Sequence, residues 1–504
     1  MPTPKAKTGN DLMDKLLSLC KRRGFIFPGS EIYGGLANSW DYGPLGAELK
    51  KNIKDEWWNR FVRQRTDVVG IDAALMMNPK VWEASGHVAG FSDPLVECKK
   101  CHERFRADAL EISKSDVKMS KSPVEMSKSD VKMSKSPVEI SKSRNVIPCP
   151  SCGGELMEAK QFNLMFKTNI GPTEEKGSAV YLRPETAQAM FVDFKNVLDT
   201  TRKRLPFGIA QMGKAFRNEI TPGNFIFRTR EFEQMEIEYF VKESEWEKHF
   251  ENWLGEMKAW LEHLGVSEKN LHYAEIPDGE RAHYSKRTVD IEYEYPFGRK
   301  ELYGLAYRGN FDLTQHEKFS GQDLRYTDPN PPAGGPKEKF LPHVIEPTWG
   351  VDRSVLVAML EAYHEEKVES SAKGGSASGG KSEKLKVKSE GEEGEDIRVV
   401  MRFPKWLAPV KVAILPLSKK EELAKVAKPL YEELAKKFVC EYDETQSIGK
   451  RYRRQDEIGT PYCVTVDFDS LEDKAVTVRD RDTMEQDRIK ISELVDYLGK
   501  SLEK

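Results

Sequence analysis

The alternation of apolar and polar residues predicts two helices near the N-terminal end of the chain. Helical spacing covers residues 11–22, and a long amphipathic helix runs from about residue 47 to residue 65. A glycine-rich segment, residues 29–46, separates them. The second helix is expected to lead into a strand that ends near Pro79.

A compact C-terminal module of alternating strands and helices is predicted as well. The apolar run 410–417 is typical of a strand, and residues 419–438 have helical spacing with Ala, Leu, Glu and Lys. Further strands are expected at 462–468 and 475–478, and a last helix at 491–498. This order predicts a small α/β domain with a mainly parallel or mixed sheet.

Two segments lack the pattern of a folded core. Residues 113–143 contain a 14-residue repeat, 113–126 and 127–140, whose copies differ only at the last position. Its many Ser and Lys residues cannot bury a core, so we expect a surface excursion. Residues 367–396 are rich in Gly, Ser, Lys and Glu and predict a flexible linker.

Composition narrows the class of protein. At 504 residues, with 32% charged and 38% hydrophobic residues, the chain has room for two to four globular domains. It has no run of about 18 apolar residues, and its first residues are polar without an apolar segment behind them, so we expect a cytoplasmic protein without a membrane span or signal peptide. The net charge of −3 means that nucleic-acid contact requires a local basic patch.

The cysteines form two pairs and three single residues. Cys98 and Cys101, and Cys149 and Cys152, have the CxxC spacing of a zinc ribbon. A metal-free knuckle held by packing is the alternative. The single residues Cys20, Cys440 and Cys463 are expected to be small buried apolar groups.

Two short stretches carry the strongest chemical signal. FRNE at 216–219 is followed after a loop by RTREF at 228–232, and GVDR occupies 350–353. Their arginines suit a bent ATP without a phosphate-binding glycine loop. Arg217 can hold the α-phosphate and Glu219 can accept from the adenine amino group. Phe232 and Arg353 can stack on the two faces of the adenine.

These residues resemble the signature motifs of the class II aminoacyl-tRNA synthetases. With GSEIYGGLANSWDYGPLG at 29–46, YLRPETAQ at 181–188, VIEPTWGVDR at 344–353 and GKRYRRQDEIGTPYC at 449–463, the chain resembles the homodimeric, glycine-specific family of that class. The resemblance implies an α/β fold class. The α+β catalytic domain would have a six-stranded antiparallel sheet, and an α/β anticodon-binding domain would follow it.

The resemblance also implies domain bounds, a reaction and partners. The catalytic domain would span 1–366, with an insertion at 95–160, and the anticodon-binding domain 397–504. Glycine would react with ATP to give glycyl-adenylate and pyrophosphate, and the glycyl group would then pass to the 3′ end of tRNA-Gly. ATP, Mg²⁺, a structural Zn²⁺ and a second copy of the chain are the expected cofactors and partners, with no membrane.

The family motifs imply a set of binding residues. Catalytic roles would fall to Arg217, Glu219 and Arg353. The ATP-binding residues would be Arg217, Asn218, Glu219, Phe227, Arg228, Thr229, Arg230, Glu231, Phe232, Glu301, Leu302, Gly350, Val351, Asp352 and Arg353. Glu301 would be a magnesium ligand, and Glu346 is a second candidate for that role. The glycine-binding residues would be Arg106, Glu185, Phe232, Glu233, Gln234, Met235, Glu236, Arg308, Glu346, Pro347 and Thr348.

Glycine offers only its ammonium group and its small size for recognition. Carboxylates suit the ammonium and a tight wall excludes larger amino acids. In the family, residues matching Glu185 and Glu346 bind the amine, and Thr348 stands where Ser is common. The C-terminal residues Lys450, Arg451, Arg453 and Arg454 alternate with Tyr452 and predict a tRNA-binding patch.

Other interpretations stay open. The chain resembles other class II synthetases less well, because the RPETAQ and EPTWG pair points to glycine. An inactive relative that only binds RNA is a second alternative, but such relatives commonly lose the ATP-binding arginines, which are present here. A zinc-ribbon RNA-binding protein would leave the ATP motifs unexplained. The repeat contains KMSKS at 118–122 and 132–136, which resembles the ATP loop of class I synthetases. We reject that reading because the HIGH sequence is missing.

Overall fold

The computed structural model describes residues 10–107, 110, 148–172, 179–328, 338–367 and 397–502. The repeat at 113–143 and residues 368–396 of the predicted linker lie outside the described residues. The chain forms two compact units. The first lies within Met1–Ala74, Glu185–Ala215 and Asn224–Lys504, and the second within Leu75–Pro184 and Phe216–Gly223.

The described residues form thirteen α-helices. They are α1 Asn10–Arg23, α2 Pro44–Trp58, α3 Pro79–Ala84, α4 His87–Gly90, α5 Ala187–Val192, α6 Phe194–Thr201, α7 Trp246–His263, α8 Phe311–Ser320, α9 Val351–Ala362, α10 Glu421–Leu434, α11 Ile448–Ile458, α12 Ser470–Asp473 and α13 Leu494–Leu502. Pro44 begins α2, where its fixed φ suits the first helical position, and a π-helical turn, Asn59–Arg63, extends it. The helices predicted over 11–22 and 47–65 are thereby confirmed. In the part of the chain described here, no helix is both long and apolar enough to span a bilayer.

Strands build several sheets. They are β1 Ile26–Pro28, β2 Trp40–Tyr42, β3 Val68–Gly70, β4 Ser92–Glu97, β5 Arg104–Arg106, β6 Lys160–Asn163, β7 Lys167–Asn169, β8 Ala179–Tyr181, β9 Phe207–Phe216, β10 Glu231–Val241, β11 Leu271–Glu275, β12 Arg287–Tyr295, β13 Gly298–Gly309, β14 Tyr326–Thr327, β15 Lys339–Phe340, β16 His343–Gly350, β17 Tyr363–Lys367, β18 Ile397–Met401, β19 Val412–Pro416, β20 Cys440–Tyr442, β21 Tyr462–Val466, β22 Ala475–Asp480 and β23 Gln486–Lys490.

The central sheet of the first unit has the order β11-β12-β13-β16-β10-β9-β3. Neighbouring strands from β11 to β10 pair antiparallel. The short strand β3 adds to the edge in parallel with β9. The predicted α/β fold class is confirmed, and the sheet has seven strands rather than the six that the resemblance implied.

The two faces of this sheet have opposite chemistry, as β10 illustrates. Met235, Ile237 and Tyr239 face a large apolar core that includes side chains of α2, α7 and α9. Each large side chain buried there contributes about 1.5–3 kcal/mol. The alternating positions Glu236 and Glu238 point to the other face and are also buried. The strand therefore carries carboxylates into a place where water does not reach them.

The C-terminal region contains the predicted mixed sheet, in the order β20-β19-β21-β22-β23. Strand β19 runs parallel to β20 and β21, and β22 and β23 continue antiparallel. The strands and helices predicted from 410 onward are confirmed with small shifts of their ends. The last helix begins at Leu494, after a short 3₁₀ turn.

The segments on the two sides of the predicted linker contact each other. Strand β17 pairs antiparallel with β18 across it. Leu407 and Ala408 belong to the large apolar core, and their carbonyl oxygens accept from Asn52 Nδ2 at 3.1 and 3.2 Å. A flexible composition between two segments therefore did not mean that the flanking segments are independent.

The second unit consists of small sheets. Strand β4 lies between β5 and β6, and β7 pairs with β8, all antiparallel. Along the chain, Cys98 and Cys101 lie between β4 and β5, and Cys149 and Cys152 lie between β5 and β6. The short strands of the second unit give it a much smaller apolar core than that of the first unit.

Candidate active site

A buried group of carboxylates occupies the polar face of the central sheet. Glu236 and Glu238 come from β10 and Glu346 from β16, and their nearest oxygens lie within 4.8 Å of one another. Glu185, which precedes α5, is also buried and acts electrostatically on Glu236 and Glu346. We call Glu185, Glu236, Glu238 and Glu346 the carboxylate pocket.

One guanidinium group enters this pocket from β13. Arg308 is buried and donates to Glu346 Oε1 at 2.7 Å, while two of its nitrogens donate to the two oxygens of Asp312 at 2.7 Å each. Its guanidinium carbon lies 3.7 Å from the centre of the Tyr284 ring. Because the bidentate pair with Asp312 uses much of its charge, Arg308 compensates the pocket only in part.

Hydroxyl and amide groups orient the other carboxylates. Thr348 Oγ1 donates to Glu236 Oε1 at 2.8 Å, and Thr186 Oγ1 donates to the other oxygen of Glu236. Gln188 Nε2 donates to Glu185 Oε1 at 2.9 Å and to Asp312 Oδ1 at 3.1 Å. These bonds fix the carboxylates in place before any ligand arrives.

Burial is the main cause of the raised pKa values in the carboxylate pocket. It raises the pKa of Glu236, and the neighbouring Glu185 adds to the effect. Burial also raises the pKa of Glu238 and of Glu346 well above the usual range. The charge of Glu346 raises the pKa of Glu238 further, and the charge of Glu236 raises that of Glu346. Arg308 opposes both shifts. The pocket is thus short of positive charge, which favours a small cationic ligand.

Three residues that were predicted to bind substrates, Glu233, Met235 and Asp352, lie away from the carboxylate pocket. Glu233 and Met235 are on the core face of β10, and Asp352 is in the first turn of α9. Glu233 accepts from Lys50 and Lys54 of α2 at 2.7 Å each, and Asp352 accepts from Tyr42 and Lys50 at 2.6 and 2.9 Å. The backbone nitrogen of Glu233 also donates to Asp352, at 2.8 Å. Met235 lies in the apolar core.

The side chains of Glu233, Asp352 and Met235 therefore have structural partners, which corrects the prediction for them. The period of two along β10 sends alternate residues to opposite faces, and a run of five consecutive residues cannot all line one pocket. Val351 and Leu302 are likewise buried in the core.

Arg353, Phe227 and Glu301 form a second group in the first unit. The guanidinium carbon of Arg353 lies 4.6 Å from the centre of the Phe227 ring, and Nη1 lies 3.3 Å from Glu301 Oε2. Burial, with Glu301 and Glu292 nearby, raises the pKa of Asp290 to about 7. The exposed carboxylate of Glu301 and the neighbouring Asp290 supply the oxygen ligands that Mg²⁺ prefers.

The other predicted residues of the first unit lie on or beside β10 and β16. Gln234 is opposite Gly350 in the register, and Pro347 is opposite Leu305 of β13. Glu231 pairs with Lys214 at 2.6 Å, Thr229 donates to the carbonyl of Glu231 and Arg230 to that of Ala37. Arg228 follows the Phe225–Phe227 turn, and Phe232 is the second residue of β10.

The second unit contains the FRNE motif. Arg217 Nε donates to the carbonyl oxygen of Pro184 at 3.0 Å, and its guanidinium carbon lies 5.4 Å from the centre of the Phe91 ring. The backbone nitrogen of Asn218 donates to Leu164, and Glu219 is buried. Arg106 pairs with Asp93 at 2.7 Å.

The two CxxC pairs come together in the second unit. The sulfur atoms of Cys98 and Cys152 are 3.5 Å apart and those of Cys101 and Cys149 3.6 Å apart. Backbone N–H donors of Cys101 and Lys100 lower the pKa of Cys98 to about 6. A Cβ atom on Gly154 would lie 2.9 Å from Lys100 Cβ and 3.2 and 3.3 Å from the sulfurs of Cys98 and Cys152, so a larger residue would force the cluster to shift.

This geometry fits a tetrahedral zinc ion. Zn–S bonds of about 2.3 Å place sulfur atoms roughly 3.8 Å apart. All four sulfurs lie within 4.8 Å of one another.

The predicted tRNA patch is only partly a surface. Arg451 is 0% exposed and donates to the carbonyl oxygens of Pro416, Asp443 and Leu417 at 2.7, 2.9 and 3.1 Å. Tyr452 bonds to Thr465, and Arg454 pairs with Asp443. Lys450 is exposed and Arg453 half-buried. Because α11 is amphipathic, its inward residues are structural, and the prediction for Arg451 is wrong.

Sequence reasoning missed several groups in the pocket: Thr186, Gln188, Glu238, Tyr284 and Asp312. Glu238 could have been found from the alternation EFEQMEIEYF, which puts it on the same face as Glu236. Tyr284 and Asp312 have no comparable local signal, because the fold alone brings them to Arg308.

Comparisons with known proteins identify the class to which the chain belongs. Residues 166–448 match the family model "tRNA synthetase class II core domain (G, H, P, S and T)", and residues 411–501 match "Anticodon binding domain". A solved prolyl-tRNA synthetase from Cryptosporidium parvum, complexed with L-proline and AMP, is similar with a TM-score of 0.59, 15% identity and coverage of 99% of this chain and 79% of that one. At that identity the likeness concerns the fold alone. The chain is a class II aminoacyl-tRNA synthetase.

Curated relatives narrow the class further. A glycine–tRNA ligase of Acetivibrio thermocellus is 54% identical over 486 residues, 96% of this chain and 97% of that one. One of Alkaliphilus oremlandii is 51% identical, over 97% of this chain and 98% of that one. The chain therefore belongs to the glycine–tRNA ligase family, and the enzyme class predicted from the motifs is confirmed.

Proposed function

We propose that this chain attaches glycine to tRNA-Gly in two steps. The glycine carboxylate attacks the α-phosphate of ATP and expels pyrophosphate, and the 3′-terminal ribose hydroxyl of the tRNA then takes the glycyl group. The observation that carries the proposal is the carboxylate pocket, where four buried glutamates face one partly neutralised arginine. An ammonium group supplies the missing positive charge.

Within the pocket, Glu185 and Glu346 bind the ammonium group and Glu236 supports it. Thr348 and the Arg308–Tyr284 pair pack around these carboxylates. We propose that this wall leaves no room for a side chain, so that larger amino acids are excluded sterically without an editing domain.

The ATP-binding roles fall to two groups of residues. Arg217 meets the α-phosphate where negative charge accumulates, Glu219 accepts from the adenine amino group, and Arg353 and Phe232 stack on the adenine. Arg228 and Arg230 offer charge to the outer phosphates. Glu301, with Asp290 beside it, holds Mg²⁺, which would neutralise phosphate charge when bound.

Glycine-dependent exchange of pyrophosphate into ATP tests this assignment. Exchange should respond to glycine and not to alanine, serine or proline. Arg217→Ala should raise the activation barrier of exchange by ~3–4 kcal/mol, which lowers the exchange rate several hundredfold. Its circular dichroism spectrum should not change. Arg299→Ala is the control, because this exposed arginine pairs with Glu294 at the turn between β12 and β13. Wild-type exchange in Arg217→Ala would refute the role.

For tRNA we propose a division of the chain into a catalytic domain at 1–366, with the insertion at 95–160, a linker at 367–396 and an anticodon-binding domain at 397–504. Lys450 and Arg453 are the candidate phosphate contacts. Lys450→Glu with Arg453→Glu should reduce tRNA charging and flatten the salt dependence of tRNA binding, while glycine-dependent exchange is unchanged. An equal loss in both assays would contradict this division of roles.

We also propose a structural zinc ion on the four cysteines. Purified protein should contain one equivalent of zinc, and Cys149→Ser should lose it and melt at a lower temperature. If the purified protein contains no zinc and Cys149→Ser melts at the same temperature, the alternative of a metal-free cysteine knuckle held by packing is supported.

A homodimer in the cytoplasm is the proposed assembly and location. Ile32 and Tyr33 are 88% and 87% exposed in the turn before β2. Such apolar exposure favours a covering partner, which we take to be a second copy. Sedimentation of Ile32→Glu with Tyr33→Glu should show a monomer, whereas an unchanged dimer would place the interface elsewhere.

A further inference from the structure

Glu238 is the deepest member of the carboxylate pocket. It is 0% exposed, and neither of its oxygens has a hydrogen-bond partner among the described residues. Its neighbours differ, since Glu236 accepts from two threonine hydroxyls and Glu346 accepts from Arg308. Hydrogen bonds to a carboxylate favour its charged form, so Glu238 is the member least suited to carry charge.

A second unpartnered polar group lies on the same face. Gln211 of β9 is 0% exposed, and neither its amide oxygen nor its amide nitrogen has a partner among the residues described. Gln211 is two positions from Ile209 and Glu238 two positions from Phe240, and Ile209 and Phe240 share one apolar cluster. By the alternation of strands, Gln211 and Glu238 therefore face the same side. Buried polar atoms without partners are rare in folded proteins, and a water molecule, an ion or a ligand can supply the missing partner.

The charges that act on Glu238 come from every element around it. Glu346 of β16, Arg308 of β13, Glu236 of β10 and Asp312 of α8 have the strongest electrostatic influence. Three of these four groups are carboxyls, and Arg308 is bonded to two of them. An additional negative charge there is unfavourable until a cation arrives. Burial, followed by Glu346, accordingly raises the pKa of Glu238 well above its usual range.

We propose that Glu238 is a protonated acid in the amino-acid-free enzyme and that glycine binding displaces its proton to solvent. The O–H bond of Glu238 breaks, the proton passes to buffer, and the new carboxylate faces the ammonium group that has entered. Glu238 is a positioning residue, because it acts through the charge of the pocket. The inference rests on the proposed function, since it takes glycine as the ligand.

This linkage has a measurable consequence for affinity. When the pocket is still protonated, glycine binding includes the work of removing the proton, so the Michaelis constant for glycine falls as pH rises. It levels off once the empty pocket is ionised. The Michaelis constant for ATP has no such dependence on Glu238.

Calorimetric titration of the full-length enzyme with glycine, in phosphate and in Tris buffer at one pH, measures the protons released. The wild type should release roughly one proton per glycine. Glu238→Gln keeps the shape of the side chain without the ionisable proton, so it should release less than half as much and flatten the pH dependence of glycine binding. Glu294→Gln is the matched control, an exposed glutamate of β12 in the same sheet.

Each outcome decides something distinct. Equal binding heats in the two buffers for the wild type overturn the inference even if the variant fails to fold. A Glu238→Gln variant that releases as many protons as the wild type overturns it as well. Absence of both glycine binding and glycine-dependent exchange overturns the proposed function, and the inference with it. Glycine binding without proton release overturns the inference alone.

Discussion

Glu233 and Glu238 are five residues apart on β10 and have opposite environments. On the core face, Glu233 lies against the ammonium groups of Lys50 and Lys54. On the pocket face, Glu238 has carboxyl groups as its nearest charged neighbours besides Arg308. Both are buried glutamates on one strand, and only their partners distinguish them.

The difference concerns charge balance. Burial opposes ionisation of Glu233, but Lys50 and Lys54 outweigh it and lower its pKa to about 2. A carboxylate with two cationic partners has a complete structural role. The pocket face is instead left short of positive charge, which costs stability and prepares a site for a cation.

The largest effect should come from removing the arginine of the pocket face. Arg308→Met leaves Asp312 and Glu346 buried without their cation, so the free energy of unfolding in urea should fall by about 3–5 kcal/mol. Glycine-dependent exchange should be lost. Arg299→Ala, which removes an exposed arginine from the same sheet, should change neither. A fully stable Arg308→Met would mean that the pocket tolerates its carboxyl groups by protonation alone.

Glu185→Gln sharpens the comparison without breaking the fold. The change keeps the shape and removes one charge that faces the ammonium group, which costs about 1.5–3 kcal/mol of glycine binding. The Michaelis constant for glycine should therefore rise about tenfold or more, and that for ATP should change little. Equal rises in both constants would contradict the assignment of Glu185 to the amine.

On the core face, Lys50→Met should affect stability alone. Lys54 remains with Glu233, and Tyr42 remains with Asp352, so the loss should be about 1–2 kcal/mol. The Michaelis constants for glycine and ATP should stay within twofold of the wild type. A large rise in the glycine constant would show that the two faces are coupled through β10.

The sequence predicted the two N-terminal helices and the main strands and helices of the C-terminal region, because helical spacing and apolar runs are local signals. It assigned five consecutive residues, 232–236, to one pocket, although a strand sends alternate residues to opposite faces. The prediction that Arg451 contacts tRNA was wrong for a similar reason. It considered the charge of the side chain and not its position on the buried side of α11. Asp312 and Tyr284 reach Arg308 only through the fold, and the contacts across the linker depend on strand pairing between distant segments.

The smallest effects, and the sharpest contrast, should appear as opposite pH trends of two Glu→Gln variants on β10. The folded pKa of Glu233 lies below its ordinary value, so its charge stabilises the fold above pH 4.5 and that contribution disappears as pH falls toward 2. The stability deficit of Glu233→Gln should therefore shrink on acidification.

The folded pKa of Glu238 lies above its ordinary value, so the contribution of the wild-type side chain to the stability of the fold decreases as pH rises above the usual carboxyl range. As pH rises, the free energy of unfolding of Glu238→Gln should therefore increase relative to that of the wild type, by on the order of 1 kcal/mol. Urea unfolding of both variants and the wild type between about pH 2.5 and pH 8 measures the two slopes. Slopes of the same sign would show that partners across the sheet do not set these charges.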